Sequence, residues 1–241
     1  MSKKKDYLKF NKNYWSQAVF DAPNPETYVF RAYGRIFKFE LGHDGSGKEK
    51  LLDFGCGPGG NTKFYHEKGF NAHGVDLSKI DIARCKKRMP KIKKQFKVID
   101  PKPSQEDKFF GNTKFKIITA FQSLYYYNNA DLETRLQNLY NMLEPNGIFY
   151  ATMMHKSCWY YKMSRPSKNG LRFVRLNRKN DKTRKGLKTN DHFINFVKSN
   201  DHLKKMFHMF KPLHIGYYDG VYRNEEGSEK HLTFIGKKLK K

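Results

Sequence analysis

From residue 50 onward the chain alternates short apolar runs with amphipathic stretches, and this alternation predicts its elements in turn. KLLDF (50–54) reads as a buried strand that stops at a cluster of glycines, and NTKFYHEKGF (61–70) as a helix closing at Gly69. NAHGVDL (71–77) is a second strand. Ser78 is placed to cap the helix KIDIARCKKRM (79–89), which must end before Pro90. QFKVID (95–100) and KFKIITAF (114–121), rich in β-branched and aromatic residues, are strands three and four. Leu132, Leu136, Leu139 and Leu143 then recur at helical spacing, EPNG (144–147) reads as the turn ending that helix, and IFYATMM (148–154) as the next strand. A strand–helix–strand succession of this kind predicts a mostly parallel, doubly wound α/β sheet with helices on both faces.

The flanks depart from the alternation. Residues 1–49 are aromatic and predicted helical, a cap ahead of the core at 50–153. Residues 154–189 form a basic, aromatic, lid-like insertion. Residues 190–241 should supply a helix at about 190–208 and strands at LHIGYY (213–218) and KHLTFIGKK (230–238). The short link between those two strands predicts a hairpin, so the last strand runs antiparallel. The chain, without internal repeats, is expected to be a single domain.

Composition changes this picture in one respect. The 38% hydrophobic and 15% aromatic content suits a folded protein. Forty-eight Lys and Arg against 23 Asp and Glu give a formal charge of +25, which ordinarily points to nucleic acid, an acidic surface or anionic substrates. The lysines are spread from end to end, however, as a lysine-rich background would leave them. The exception is 156–188, with twelve Lys or Arg against Asp181 alone. Cys56, Cys85 and Cys158 are too scattered for a disulfide framework or a zinc site, and no metal is expected. No apolar run has the length of a membrane span or signal peptide, so the expectation is a cytoplasmic protein with free thiols.

The candidate chemistry starts at LLDFGCGPGG (51–60). In an open parallel sheet ligands bind beyond the carboxyl ends of the strands. A glycine loop leading into a helix offers backbone N–H groups there. Asp76, at the end of the second strand, could accept hydrogen bonds from the two hydroxyls of a ribose. Dinucleotide cofactors use the same arrangement. Here, though, an acid stands two residues before the first glycine, and it suits a cationic amino group better than a pyrophosphate.

LLDFGCGPGGNT, GVDLS, KVID, KIITAFQSLYYY and LEPNGIFYATM, in this order and spacing, resemble the class I S-adenosylmethionine-dependent methyltransferases over roughly residues 48–155. The resemblance implies a Rossmann-like fold and S-adenosylmethionine as cofactor. It places Asp53, Gly55, Gly57 and Gly59 around the methionine part, Asp76 and the adjoining Leu77 at the ribose, and Asp100 at the adenine amino group. Phe121 and Gln122 fall beside the methionine end and the transferred methyl.

The acceptor is less defined. His155, His214, Tyr126 and Asp219 are candidate bases, with His155 and Tyr126 foremost. Tyr14, Trp15, Arg31, Tyr126, Tyr218 and Arg223 are candidate acceptor contacts. The resemblance favours O- or N-methylation of a small metabolite or sugar, anionic ones included. The alternative is RNA held by the basic insertion, with arginines on phosphates and aromatics on bases.

Overall fold

The predicted alternation becomes a seven-stranded sheet. The computed structural model describes residues 6–17, 21–175, 191–221 and 227–239. The strands are β1 (Lys50–Phe54), β2 (Asn71–Asp76), β3 (Phe96–Val98), β4 (Phe115–Ala120), β5 (Leu143–Met154), β9 (Lys211–Tyr218) and β10 (His231–Lys237). They lie in the order β3-β2-β1-β4-β5-β10-β9. Neighbours from β3 to β5 are parallel, and β10 runs antiparallel to both β5 and β9. The chain first winds outward from β1 to β3, then returns to place β4 on the other side of β1. That reversal opens a crevice at the carboxyl edge between β1 and β4.

The helices follow their signals. α3 (Gly60–Glu67) and α4 (Lys79–Arg88) connect the first three strands. Ser78 caps α4 through its hydroxyl, which accepts from the Asp81 N–H at 3.3 Å. In α5 (Asn129–Met142) the stripe Leu132, Leu136 and Leu139 is buried against the sheet together with Leu143, the first residue of β5. On the opposite face, α2 (Thr27–Ala32) and the π-helical turn Tyr33–Lys38 bury Val29, Tyr33 and Phe37 with Phe64 and Tyr65 of α3.

Two expectations are corrected. EPNG falls inside the bounds of β5, which follows α5 directly, but the pairing with β4 jumps from Leu143 to Ile148, so these four residues bulge out of the sheet with Asn146 at φ 62°. Residues 190–208 are not one helix. The run DHFIN forms strand β8 (Asp191–Asn195), and only α7 (Asn200–Met206) is helical. The reason is tertiary. β8 closes a second sheet, β6-β7-β8, with β6 (Ser164–Pro166) and β7 (Leu171–Arg175), and aromatic and β-branched residues fit such a surface. α6 (Trp159–Lys162) precedes it, and the rest of the expected insertion, 176–189, lies outside the described residues.

The N-terminal helix α1 (Tyr7–Trp15) packs on this small sheet through Asn11, which is almost fully buried. The Asn11 amide donates to the carbonyls of Tyr126 (2.9 Å) and Phe193 (3.1 Å) and accepts the Phe193 N–H at 2.7 Å. Helix, small sheet and the segment after β4 are thereby tied together. Among the described residues no helix is long and apolar enough to cross a membrane.

Candidate active site

A cavity of about 420 Å³ opens at the carboxyl edge of the large sheet. Its inner part is walled by the glycine loop, the end of β2 and the start of the segment after β3: Gly55, Gly57, Asp76, Leu77, Ile99 and Pro101. The four glycines of the loop are not equivalent. A Cβ on Gly55 would meet Ser123 Cβ at 2.4 Å, one on Gly59 the Cys85 sulfur at 2.8 Å, and one on Gly60 the Asn24 carbonyl at 2.4 Å. Those three are small because protein packs against them. Gly57, at φ 51°, has nothing within 4 Å of that position and faces open cavity.

Asp76 is held at the same place. Its Oδ2 accepts the Gly57 N–H at 2.9 Å and its Oδ1 the Ser78 N–H at 2.8 Å. Each oxygen retains acceptor capacity. Burial pushes the carboxyl up to about 6, while these N–H bonds pull the other way. Asp53 is not in the wall. It lies beneath the loop, only 1% exposed, where the hydroxyls of Thr62 (2.6 Å) and Thr119 (3.2 Å) donate to it. Burial raises it to about 6 as well. Gly59 also stands outside the wall, as the residue before α3. Asp100 is exposed and closes a local turn by accepting the Lys102 N–H at 2.8 Å, and its neighbours Ile99 and Pro101 line the cavity in its stead.

The outer part of the cavity draws on distant segments. Phe121 and Gln122 line it directly after β4, with Gln122 at φ 48° and its side chain donating to the Tyr218 hydroxyl at 3.1 Å. Tyr126, Tyr14 and Trp15 line it too, and the Trp15 and Tyr126 rings meet edge-on at 5.2 Å. Tyr218 stands one layer behind, stacked on Tyr28 at 4.1 Å and on His231 at 5.0 Å.

Several expected residues are elsewhere. His155 is off the cavity, its ring nitrogens engaged by the Ser157 hydroxyl (2.8 Å) and the Lys198 carbonyl (3.1 Å). His214 pairs with Glu40 at 2.6 Å, and Asp219 accepts from Ser228 and the Glu229 N–H. Arg31 is exposed on α2, away from the wall, and Arg223 lies outside the described residues. Arg172 and Arg175 of the basic segment are engaged within the small sheet. Arg172 donates to Ser164 and lies over the Tyr161 ring, while Arg175 grips Asp191 with two nitrogens.

Glu26, Tyr28, His192, Glu229 and His231 line the cavity without having been singled out by sequence. For His231 a signal existed: an antiparallel last strand begins at the carboxyl edge where the parallel strands end, and His231 opens β10 opposite Met154. Among the described residues no group of three His, Cys, Asp or Glu could hold a metal ion.

Comparison with known proteins agrees with this geometry. Residues 26–210 match the family model described as a methyltransferase domain. An uncharacterised methyltransferase of Synechocystis sp. is 26% identical over 114 residues, 47% of this chain and 51% of that protein. The ubiquinone biosynthesis O-methyltransferase of Pelagibacter ubique is 28% identical over 114 residues, 46% of this chain and 45% of that protein. The chain thus spans about half the length of these curated relatives. A crystal structure of a Methanosarcina mazei S-adenosylmethionine-dependent methyltransferase has the same fold, with TM-score 0.63, 15% identity, and coverage of 84% of this chain and 99% of that one.

Proposed function

The chain belongs to the methyltransferase-domain family, and from that premise we propose that it moves a methyl group from S-adenosylmethionine to a small molecule held in the outer part of the same cavity. The observation that carries this reading is the pairing of Asp76, hydrogen-bonded by two backbone N–H groups, with Gly57, which leaves open space beside it. The donor set fits the cofactor. A carboxylate with acceptor capacity to spare suits the ribose hydroxyls, a glycine without neighbours gives close approach, and Leu77, Ile99 and Pro101 offer apolar surface to a purine. Phe121 and Gln122 continue the wall toward the acceptor side. Asp53 acts from below, fixing Thr62 and Thr119 under the loop.

When bound, S-adenosylmethionine supplies a methyl group already activated by its sulfonium. The chain's task is then to bind, orient and exclude water. α1 and the small sheet serve as the cover on the acceptor side, within a single unit. Tyr126, Trp15 and Tyr14 present ring faces and edges to the acceptor, and such rings favour positive charge near them. The enclosed aromatic wall supports a small acceptor, and so does the internal use of Arg172 and Arg175, which leaves those two arginines little to offer a phosphate backbone.

The test is transfer of labelled methyl from S-adenosylmethionine into a small-molecule extract and, in parallel, into total RNA. Label in the small-molecule fraction is expected. Label confined to RNA would overturn the small-acceptor reading.

A further inference from the structure

The charge of the cavity opposes the charge of the chain. With 48 Lys and Arg in the sequence, none lines the cavity among the described residues, whereas Glu26 and Glu229 both do. The Glu26 carboxyl is held above the ordinary carboxylate range, by burial first and by the nearby charge of Glu229 second. Trp159 Nε1 lies 3.5 Å from Glu229 Oε1.

Beside Glu229 stands His231. It is 5% exposed, it lines the cavity, and its Nε2 has no hydrogen-bond partner. Its Nδ1 lies 2.6 Å from the Glu229 carbonyl, which can only accept, so the proton is on Nδ1 and Nε2 is a bare lone pair. A buried lone pair without a donor is costly to leave in place. It marks where a donor belongs.

Resting on the methyltransferase reading, we propose that the acceptor is a primary or secondary amine, its N–H directed at His231 Nε2 and its positive charge received by Glu26, Glu229 and the surrounding aromatic rings. An anionic acceptor would meet two carboxylates and no described cation. A hydroxyl acceptor must shed its proton during transfer. Burial presses His231 down to about 4, which makes it a far weaker base than a hydroxyl requires. An amine avoids the difficulty. Arriving as ammonium, it loses one proton to solvent before transfer, as any amine in equilibrium with water does. Its lone pair then forms the N–C bond, the C–S bonding pair stays on sulfur, and the positive charge passes to nitrogen. The N–H of the methylated product still donates to Nε2, and no base need act in the transfer itself.

Isothermal titration of the full chain with a panel of small primary and secondary amines, each beside the alcohol and the carboxylate of the same skeleton, tests this. Amines should bind at least tenfold more tightly than their matched partners. Glu26→Gln and Glu229→Gln should each weaken the best amine about tenfold, and His231→Phe, which keeps a ring but removes the acceptor, should weaken it several-fold. Carboxylates binding as well as amines, no amine binding at all, or an amine indifferent to both glutamine variants would overturn the proposal. S-adenosylhomocysteine is titrated separately into the same protein. Its failure to bind would sink the donor assignment while the amine measurements still decide the amine site.

Discussion

The two ends of the cavity are made in different ways. The inner end comes largely from contiguous chain: β1 runs into its glycine loop, and the Gly57 N–H reaches Asp76 only 19 residues on. The outer end is assembled from afar. Asn11 spans 115 residues to Tyr126 and 182 to Phe193, and His231 enters from the strand that closes the sheet. The inner end is therefore set by backbone geometry close in sequence, and the outer end by side chains brought together from distant segments. Donor recognition and acceptor recognition should accordingly fail separately when mutated.

The sharpest break should come at Gly57. A β-branched side chain at φ 51° is strained and projects into the cavity, so Gly57→Val should reduce S-adenosylhomocysteine affinity more than about a hundredfold. Circular dichroism should remain that of a folded protein, since no neighbour lies within 4 Å to be displaced.

Asn11→Ala should act on the other end. It removes three hydrogen bonds and leaves the buried Phe193 N–H without its partner. We expect a loss of about 2 kcal/mol in denaturant unfolding. Acceptor KM should rise while S-adenosylhomocysteine affinity stays within about twofold. An equal loss of both affinities would erase the division between the ends.

A smaller effect concerns pH. Asp76 titrates near 6 in the fold, above its ordinary 3.8, so this group favours folding below about pH 4 and that contribution is lost as pH rises through 6. Ribose hydroxyls require the ionised carboxylate, so cofactor affinity runs the opposite way. It should fall about tenfold between pH 7 and pH 5. Asp53, also near 6, contributes to the stability profile from beneath the loop. Asp76→Asn should flatten the affinity profile and leave Asp53's part of the stability profile in place.

The same contrast explains what could be read from sequence. Strands β1 to β5, the Ser78 cap and the leucine stripe of α5 were legible because each is set by local periodicity and capping. Strand β8 was not. Its placement depends on pairing with β7 and on Asn11, the latter 182 residues from Phe193. His155 drew attention as a histidine at a strand end, yet its ring is turned to Ser157 and Lys198, and the histidines that line the cavity are His192 on β8 and His231 at the start of a later antiparallel strand. Asp100 fits the motif but is drawn into a turn with Lys102. The net charge of +25 says nothing of how charge is distributed: Glu26 and Glu229 line the cavity and no Lys or Arg does among the described residues. In the described wall, the acids are inside.

The central claim is that Asp76, at the end of β2, holds the methyl donor. Isothermal titration of S-adenosylhomocysteine into the wild-type chain and Asp76→Ala tests it most directly. The account predicts saturable single-site binding to wild type and a loss of about 1.5–3 kcal/mol, roughly ten- to hundredfold, in the variant. Equal affinity in the two proteins would contradict it.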